Sequence, residues 1–297
     1  MFGGSGGSGT SGSGTSGSAG STGLGGDFFS TTGSGGSSAS GTTSTSASGG
    51  GLAPPTTTAA CAGKIYTCGN LLDDDKDGLV DSQDPDCLGP CDDTEDGLNP
   101  ELPGAKGGEC KLDCFWDNGN GAGNDDCYWD HRCDKLEVPP NYPPEGPGCA
   151  YDPTTQPKPG LSCEAAFTAQ STTCLSFCKP LVPNGCDCFG CCELPAGGGK
   201  FAWLGAFDSN GIGSCKLDTL GDPAKCPPCT PVQGCQNECG HFELCVGKTQ
   251  LPLDCVPGEK NNPQGCSSDL QPCGLANQSP CPNGSYCITG CCVPVPQ

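Results

Sequence analysis

Twenty-nine cysteines, spread from Cys61 to Cys292, constrain this chain more than any other feature. They are about a tenth of its 297 residues, a density that reads as a disulfide framework formed in an oxidising compartment. A reduced, zinc-loaded protein is the alternative. With only His131 and His241 available, its sites would have to be almost entirely thiolate. Fifty glycines and 29 prolines leave little Leu, Ile, Val or Phe for a large core. Modules of this composition need covalent or metal staples. The expected fold class is therefore small disulfide-rich modules, mostly irregular, with short β-hairpins and little helix, behind a disordered N-terminal tether. An odd cysteine count leaves one thiol free, modified or in an intermolecular disulfide.

The net charge of −21 disfavours binding to nucleic acid or anionic lipid. No apolar run approaches the length of a membrane span. The acid is local, with eleven Asp/Glu between Asp73 and Asp96 and only Lys76 among them. Within LLDDDKDGLVDSQDPDC, residues Asp73, Asp75, Asp77, Asp81 and Asp84 fall at positions 1, 3, 5, 9 and 12 of a twelve-residue loop. Gly78 takes position 6, and the carbonyl of Leu79 takes position 7. This is the ligand order of an EF-hand-type Ca2+ loop, with glycine at the sharp turn. A Cys68–Cys87 bridge would close the loop at its ends and contribute about 3 kcal/mol of loop entropy.

Five segments follow from composition. Residues 1–60 are a Gly/Ser/Thr-rich tether; glycine recurs every third residue in places, but without proline and with a slipping register, so collagen fails. Residues 61–100 are the acidic calcium-loop module. Residues 101–160 combine Asp, Asn, Gly and aromatic residues with a Pro-rich spacer. Asp113, Asp117, Asn118, Asn120, Asn124, Asp125, Asp126 and Asp130 are oxygen donors there, out of the calcium register. They fit either a second cation site or a glycine turn with Asx caps. Residues 161–260 form a cysteine-rich module in which Cys163 to Cys178 is read as a short helix stopped by Pro180. Its hairpin, near 201–217, turns at Asp208-Ser209-Asn210-Gly211, where Asn-Gly predicts type I′. Its Cys226-Pro-Pro-Cys229 lacks the helix that a redox motif requires. Residues 261–297 are a six-cysteine module whose ending, CITGCCVP, echoes CFGCCELP at 188–195.

The loop and its following cysteine resemble a thrombospondin type 3 repeat over about fifteen residues. The resemblance implies calcium on Asp73, Asp75, Asp77, Asp81 and Asp84 and a structure that depends on the ion. Asp replaces the bidentate Glu at position 12, Cys87 lies one residue further on than usual, and the repeat occurs once. Such a site is structural and extracellular, with affinity on the order of 10⁻⁴–10⁻³ M. More widely, the Gly/Ser leader, NDDCYWDHRC, GCDCFGCCELP and CPNGSYCITGCCVP resemble exported cysteine-rich surface proteins of multicellular soil bacteria. That resemblance implies location and carries no activity.

The expectation is thus a non-enzymatic, calcium-stabilised cell-surface or matrix protein for structural or adhesive binding to a protein or glycan surface. No catalytic residue is assigned. The alternative is a secreted binding or inhibitory module acting through the C-terminal six-cysteine unit. Export requires a signal, with or without a lipid-bearing cysteine; Met1-Phe2 leads straight into Gly/Ser, so that signal is expected upstream of the given start or already removed.

Overall fold

Cysteine pairing sets the architecture. A computed structural model of the chain describes residues 55–100, 110–117, 125–136, 149–194, 198–240, 243–247, 266–275 and 278–295. Residues 1–54 of the expected tether lie outside this set, as do His241, Cys255 and Asn277. Fourteen disulfides join 28 cysteines. The one cysteine outside these pairs, Cys255, lies outside the described residues. The fold class is as expected: the described residues form four two-stranded antiparallel hairpins and two short α-helices, with irregular chain and single 3-10 turns among them.

The hairpins are β1 (Ala60–Cys61) with β2 (Lys64–Ile65), and β3 (Lys111–Leu112) with β4 (Trp129–Asp130). Then come β5 (Cys191–Glu193) with β6 (Phe201–Trp203), and β7 (Ser285–Ile288) with β8 (Cys291–Pro294). Two of them close on residue pairs that are both left-handed: Ala62 (φ 47°) with Gly63 (φ 77°), and Thr289 (φ 41°) with Gly290 (φ 91°). These are the type I′ loops, because mirror-image turns match strand twist. The Asp208–Gly211 turn is not one of them. Only Gly211 has positive φ, at 81°. The Asp208 carboxylate accepts from the N–H groups of Asn210 (2.8 Å) and Ile212 (3.0 Å), and this Asx geometry holds Asn210 out of the left-handed region. Across that turn only Phe207 and Gly213 pair; Phe201–Trp203 pairs backward with β5 instead.

The expected single helix is two: α1 (Cys163–Thr168) and α2 (Thr172–Phe177). Ser162 caps α1 through the Ala165 N–H, and Ser171 caps α2 through the Cys174 N–H. Between them, Gln170 bonds the N–H and carbonyl of Tyr128 (both 3.1 Å), so the break is held by tertiary contacts.

The disulfides fall into three sets. Cys61–Cys91 and Cys68–Cys87 lie within the acidic segment. Cys266–Cys291, Cys273–Cys287 and Cys281–Cys292 close the C-terminal six-cysteine segment on itself. In the middle, Cys114–Cys178, Cys127–Cys174 and Cys133–Cys163 join described residues on either side of residue 160. The thiols of the CPPC motif part company, with Cys226 on Cys215 and Cys229 on Cys191.

The core gathers on the CDCFGCC turn. Asp187, 1% exposed, accepts from the N–H groups of Phe189 and Cys191 (both 2.9 Å) and of Val232 (2.7 Å). Trp116 and Trp203 donate to the carbonyls of Asp187 (2.7 Å) and Phe189 (3.0 Å). Gly190 (φ 83°) lies under the Phe115 ring, where a Cβ would stand 2.8 Å from a ring carbon. His131, fully buried, packs edge-on against Trp203, which makes it structural.

Candidate metal centre

The acidic loop is framed before any ion is considered. Cys68–Cys87 joins its ends, as the sequence suggested, and Cys61–Cys91 adds a second closure. Within it, each early aspartate organises the backbone that follows. Asp73 accepts from the N–H groups of Lys76 (2.7 Å) and Gly78 (3.1 Å). Asp75 accepts from Asp77 (2.9 Å), and Asp77 from Leu79 (2.8 Å). These successive Asx turns wind the chain in one direction. They require left-handed residues, supplied by Gly78 (φ 99°) and Lys76 (φ 71°). Leu79 follows the glycine, half-buried, as the register places it.

Two carboxylate clusters result. Oxygens of Asp75, Asp77 and Asp84 lie within 4.8 Å of one another, and so do oxygens of Asp73, Asp75 and Glu95. Asp84 is 3% exposed, and its Oδ2 is buried without a hydrogen-bond donor. An orphaned carboxylate oxygen in a nest of like charge calls for a cation or a proton. The donors here are all oxygen, because both neighbouring cysteine pairs are oxidised. That chemistry fits a hard divalent ion such as Ca2+.

Asp81 departs from the expected ligand set. It is 1% exposed, and its carboxylate turns away to accept from the N–H groups of Asn70 (3.2 Å) and Leu71 (3.1 Å). It is a backbone cap at the entrance of the loop, in the position-9 place where calcium loops often reach the ion through water.

Glu95 is the residue sequence reasoning missed. It is 2% exposed and accepts from the N–H groups of Asp74 (2.6 Å) and Asp81 (2.9 Å). It comes from beyond Cys91, eleven residues past position 12, so no loop register contains it. The only signal was the continuation of the acidic run through Asp92-Asp93-Thr94-Glu95-Asp96.

The electrostatics follow from burial of like charges. Burial pushes Asp84 up to about 7, helped by the charges of Asp77, Asp86 and Asp75 and opposed by the Asp86 N–H. Burial likewise pushes Asp81 up to about 6, against the Leu71 N–H and with the charge of Glu95. Asp86 also rises to about 6, first by burial and then by the charge of Asp75. Asp92, also buried, is likewise raised well above the ordinary aspartate value by burial. Without a counter-ion the segment therefore holds protons at a pH where free aspartate has none.

No protein-family model, curated protein or solved structure matches this chain. The site's chemistry rests on its own geometry.

Proposed function

We propose that this chain is a non-enzymatic exported protein of the cell surface or matrix, stapled by disulfides and stiffened by a structural calcium ion, for structural or adhesive binding to a protein or glycan surface. The observation that carries this reading is the buried, donorless Oδ2 of Asp84 within reach of Asp75 and Asp77, in a loop closed by Cys68–Cys87. Asp73, Asp75, Asp77, Asp84 and the carbonyl of Leu79 hold the ion, Asp81 caps the loop, and Glu95 adds a carboxylate on the Asp73 side. This is the thrombospondin type 3-like arrangement, with one ligand borrowed from outside the repeat. Fourteen disulfides fit an oxidising, extracellular setting, and among the described residues no helix is long and apolar enough to cross a membrane.

The test is thermal melting of the disulfide-intact chain with calcium or EDTA. An affinity on the order of 10⁻⁴–10⁻³ M gives about 1–3 kcal/mol of stabilisation in roughly 10 mM calcium. Identical melting and protease resistance in both would sink the proposal.

The alternative, a secreted binding or inhibitory module, draws on the three disulfides that close Cys266–Cys292 on itself. Its signature is target binding that survives Asp84→Asn undiminished.

A further inference from the structure

The β3–β4 hairpin carries a second set of buried carboxylates, separate from the loop at 73–84. Asp113 directly follows β3, and Asp125 lies four residues before β4, so the two stand at the ends of the segment that joins the strands. Both are buried, at 6% and 2% exposure. Their carboxyl groups meet, and Oδ1 of Asp113 and Oδ2 of Asp125 are enclosed without a donor. The other oxygen of Asp125 accepts from the Cys127 N–H at 3.3 Å. A third carboxylate, Asp117, is half-buried and adds its charge to Asp113.

Two interacting carboxyl groups, each with a buried oxygen that lacks a donor, need a proton or a cation to balance them. Two of the basic side chains in this region are engaged with other acids, and Lys111 of β3 is exposed. Arg132 forms a two-pronged pair with Asp130 (2.9 and 2.7 Å). Lys158 bonds Asp126 at 3.2 Å and lies over the Tyr128 ring. The neighbouring sulfurs, Cys114 and Cys178, are bonded to each other and offer no thiolate. What remains is a buried carboxylate pair whose free donors are oxygens only, the donor set of a hard cation.

We infer that Asp113 and Asp125, with Asp117 at the margin, form a second divalent-cation site that takes Ca2+ and pins the base of the β3–β4 hairpin. Of the acids in this segment, Asp126 and Asp130 are not ligands, since each is committed to its basic partner. Asn118, Asn120 and Asn124 lie outside the described residues. The inference does not depend on the loop at 73–84. The competing arrangement is a carboxyl–carboxylate pair sharing one proton. The same burial and the facing Asp125 carboxyl favour it, pushing Asp113 up to about 7.

The test uses the disulfide-intact full chain, stripped with EDTA and titrated with Tb3+ as a calcium probe, with tryptophan excited. Trp116 and Trp129 flank the site in sequence. The informative background is Asp75→Asn/Asp77→Asn, which disables the first loop alone. In that background, tryptophan-sensitised emission that calcium displaces is expected, along with one equivalent of bound calcium by elemental analysis. Adding Asp113→Asn/Asp125→Asn is expected to abolish both, with intact mass still reporting fourteen disulfides. The inference is overturned if the background variant binds no calcium and gives no displaceable emission, a result that needs no substitution at the second site. It is also overturned if Asp113→Asn/Asp125→Asn leaves binding unchanged, as the shared proton requires. If the first-loop reading alone is wrong, wild type and Asp75→Asn/Asp77→Asn bind the same number of ions.

Discussion

Single aspartates in this chain do different work although the sequence presents them as one run. Asp84 and Asp81 are three residues apart and both buried, yet Asp84 keeps an orphaned oxygen while Asp81 caps the backbone at Asn70 and Leu71. Asp84→Asn should therefore remove most of the calcium-induced rise in melting temperature. Asp81→Ala should lower stability by about 1–3 kcal/mol with or without calcium, because two buried N–H groups lose their acceptor. Melting curves of both variants in calcium and in EDTA check the split; equal calcium dependence of the two would refute it. Asp187 is a further case, its carboxylate accepting from the N–H groups of Phe189, Cys191 and Val232. Asp187→Ala is expected to destabilise by about 3 kcal/mol, measured as a shift in denaturant midpoint with disulfides intact. The sequence could not distinguish these roles, since a carboxylate's partner is set by which backbone N–H groups the fold delivers.

At the level of elements, what was legible is what is local. Asp75 comes within reach of Asp73 on one side and of Asp77 and Asp84 on the other because Gly78 and the Asx turns wind this twelve-residue stretch by short-range bonds. The Cys68–Cys87 closure was legible for the same reason. Glu95, the broken α1–α2 helix and the retargeted β6 strand were not, because contacts far away in sequence decide each of them. The acidic loop also has an unusual pH signature. Asp81, Asp84 and Asp86 have folded-state values of about 6, about 7 and about 6, above the ordinary 3.8. A raised carboxylate contributes stability that is present below the unfolded value and lost as pH rises through the folded one. In EDTA, the melting temperature should therefore climb as pH falls from about 7 toward the ordinary 3.8 of an aspartate. In saturating calcium the same acidification displaces the ion, so the trend should flatten or reverse. Parallel pH profiles with and without calcium would count against the loop as a cation site.

The residues from Ser48 onward form one compact unit, so its three covalent sets have to be held together by non-covalent contacts. Among the contacts by which the C-terminal set docks on the acidic one is a buried hydrogen bond: the Tyr286 hydroxyl donates to the Cys68 carbonyl at 2.7 Å. Cys68 is also an end of the disulfide that closes the calcium loop. Ser82, Asp84, Pro85 and Cys87 share a small cleft with Cys287, Ile288, Thr289 and Gly290, so position 12 of the loop lies beside the β7–β8 turn. An ion that fixes Asp84 therefore fixes the platform on which the C-terminal hairpin rests. Hydrogen exchange of residues 285–295 should accelerate on calcium removal, although none of them is a ligand. Tyr286→Phe should weaken that coupling by about 1 kcal/mol, the worth of one hydrogen bond, while leaving the three C-terminal disulfides intact. Exchange at 285–295 that ignores calcium in the wild type would separate the two sets energetically and return the C-terminal unit to the status of an independent module. Coupled exchange would mean that calcium stiffens two of the three covalent sets through the contacts around Tyr286 and the β7–β8 turn.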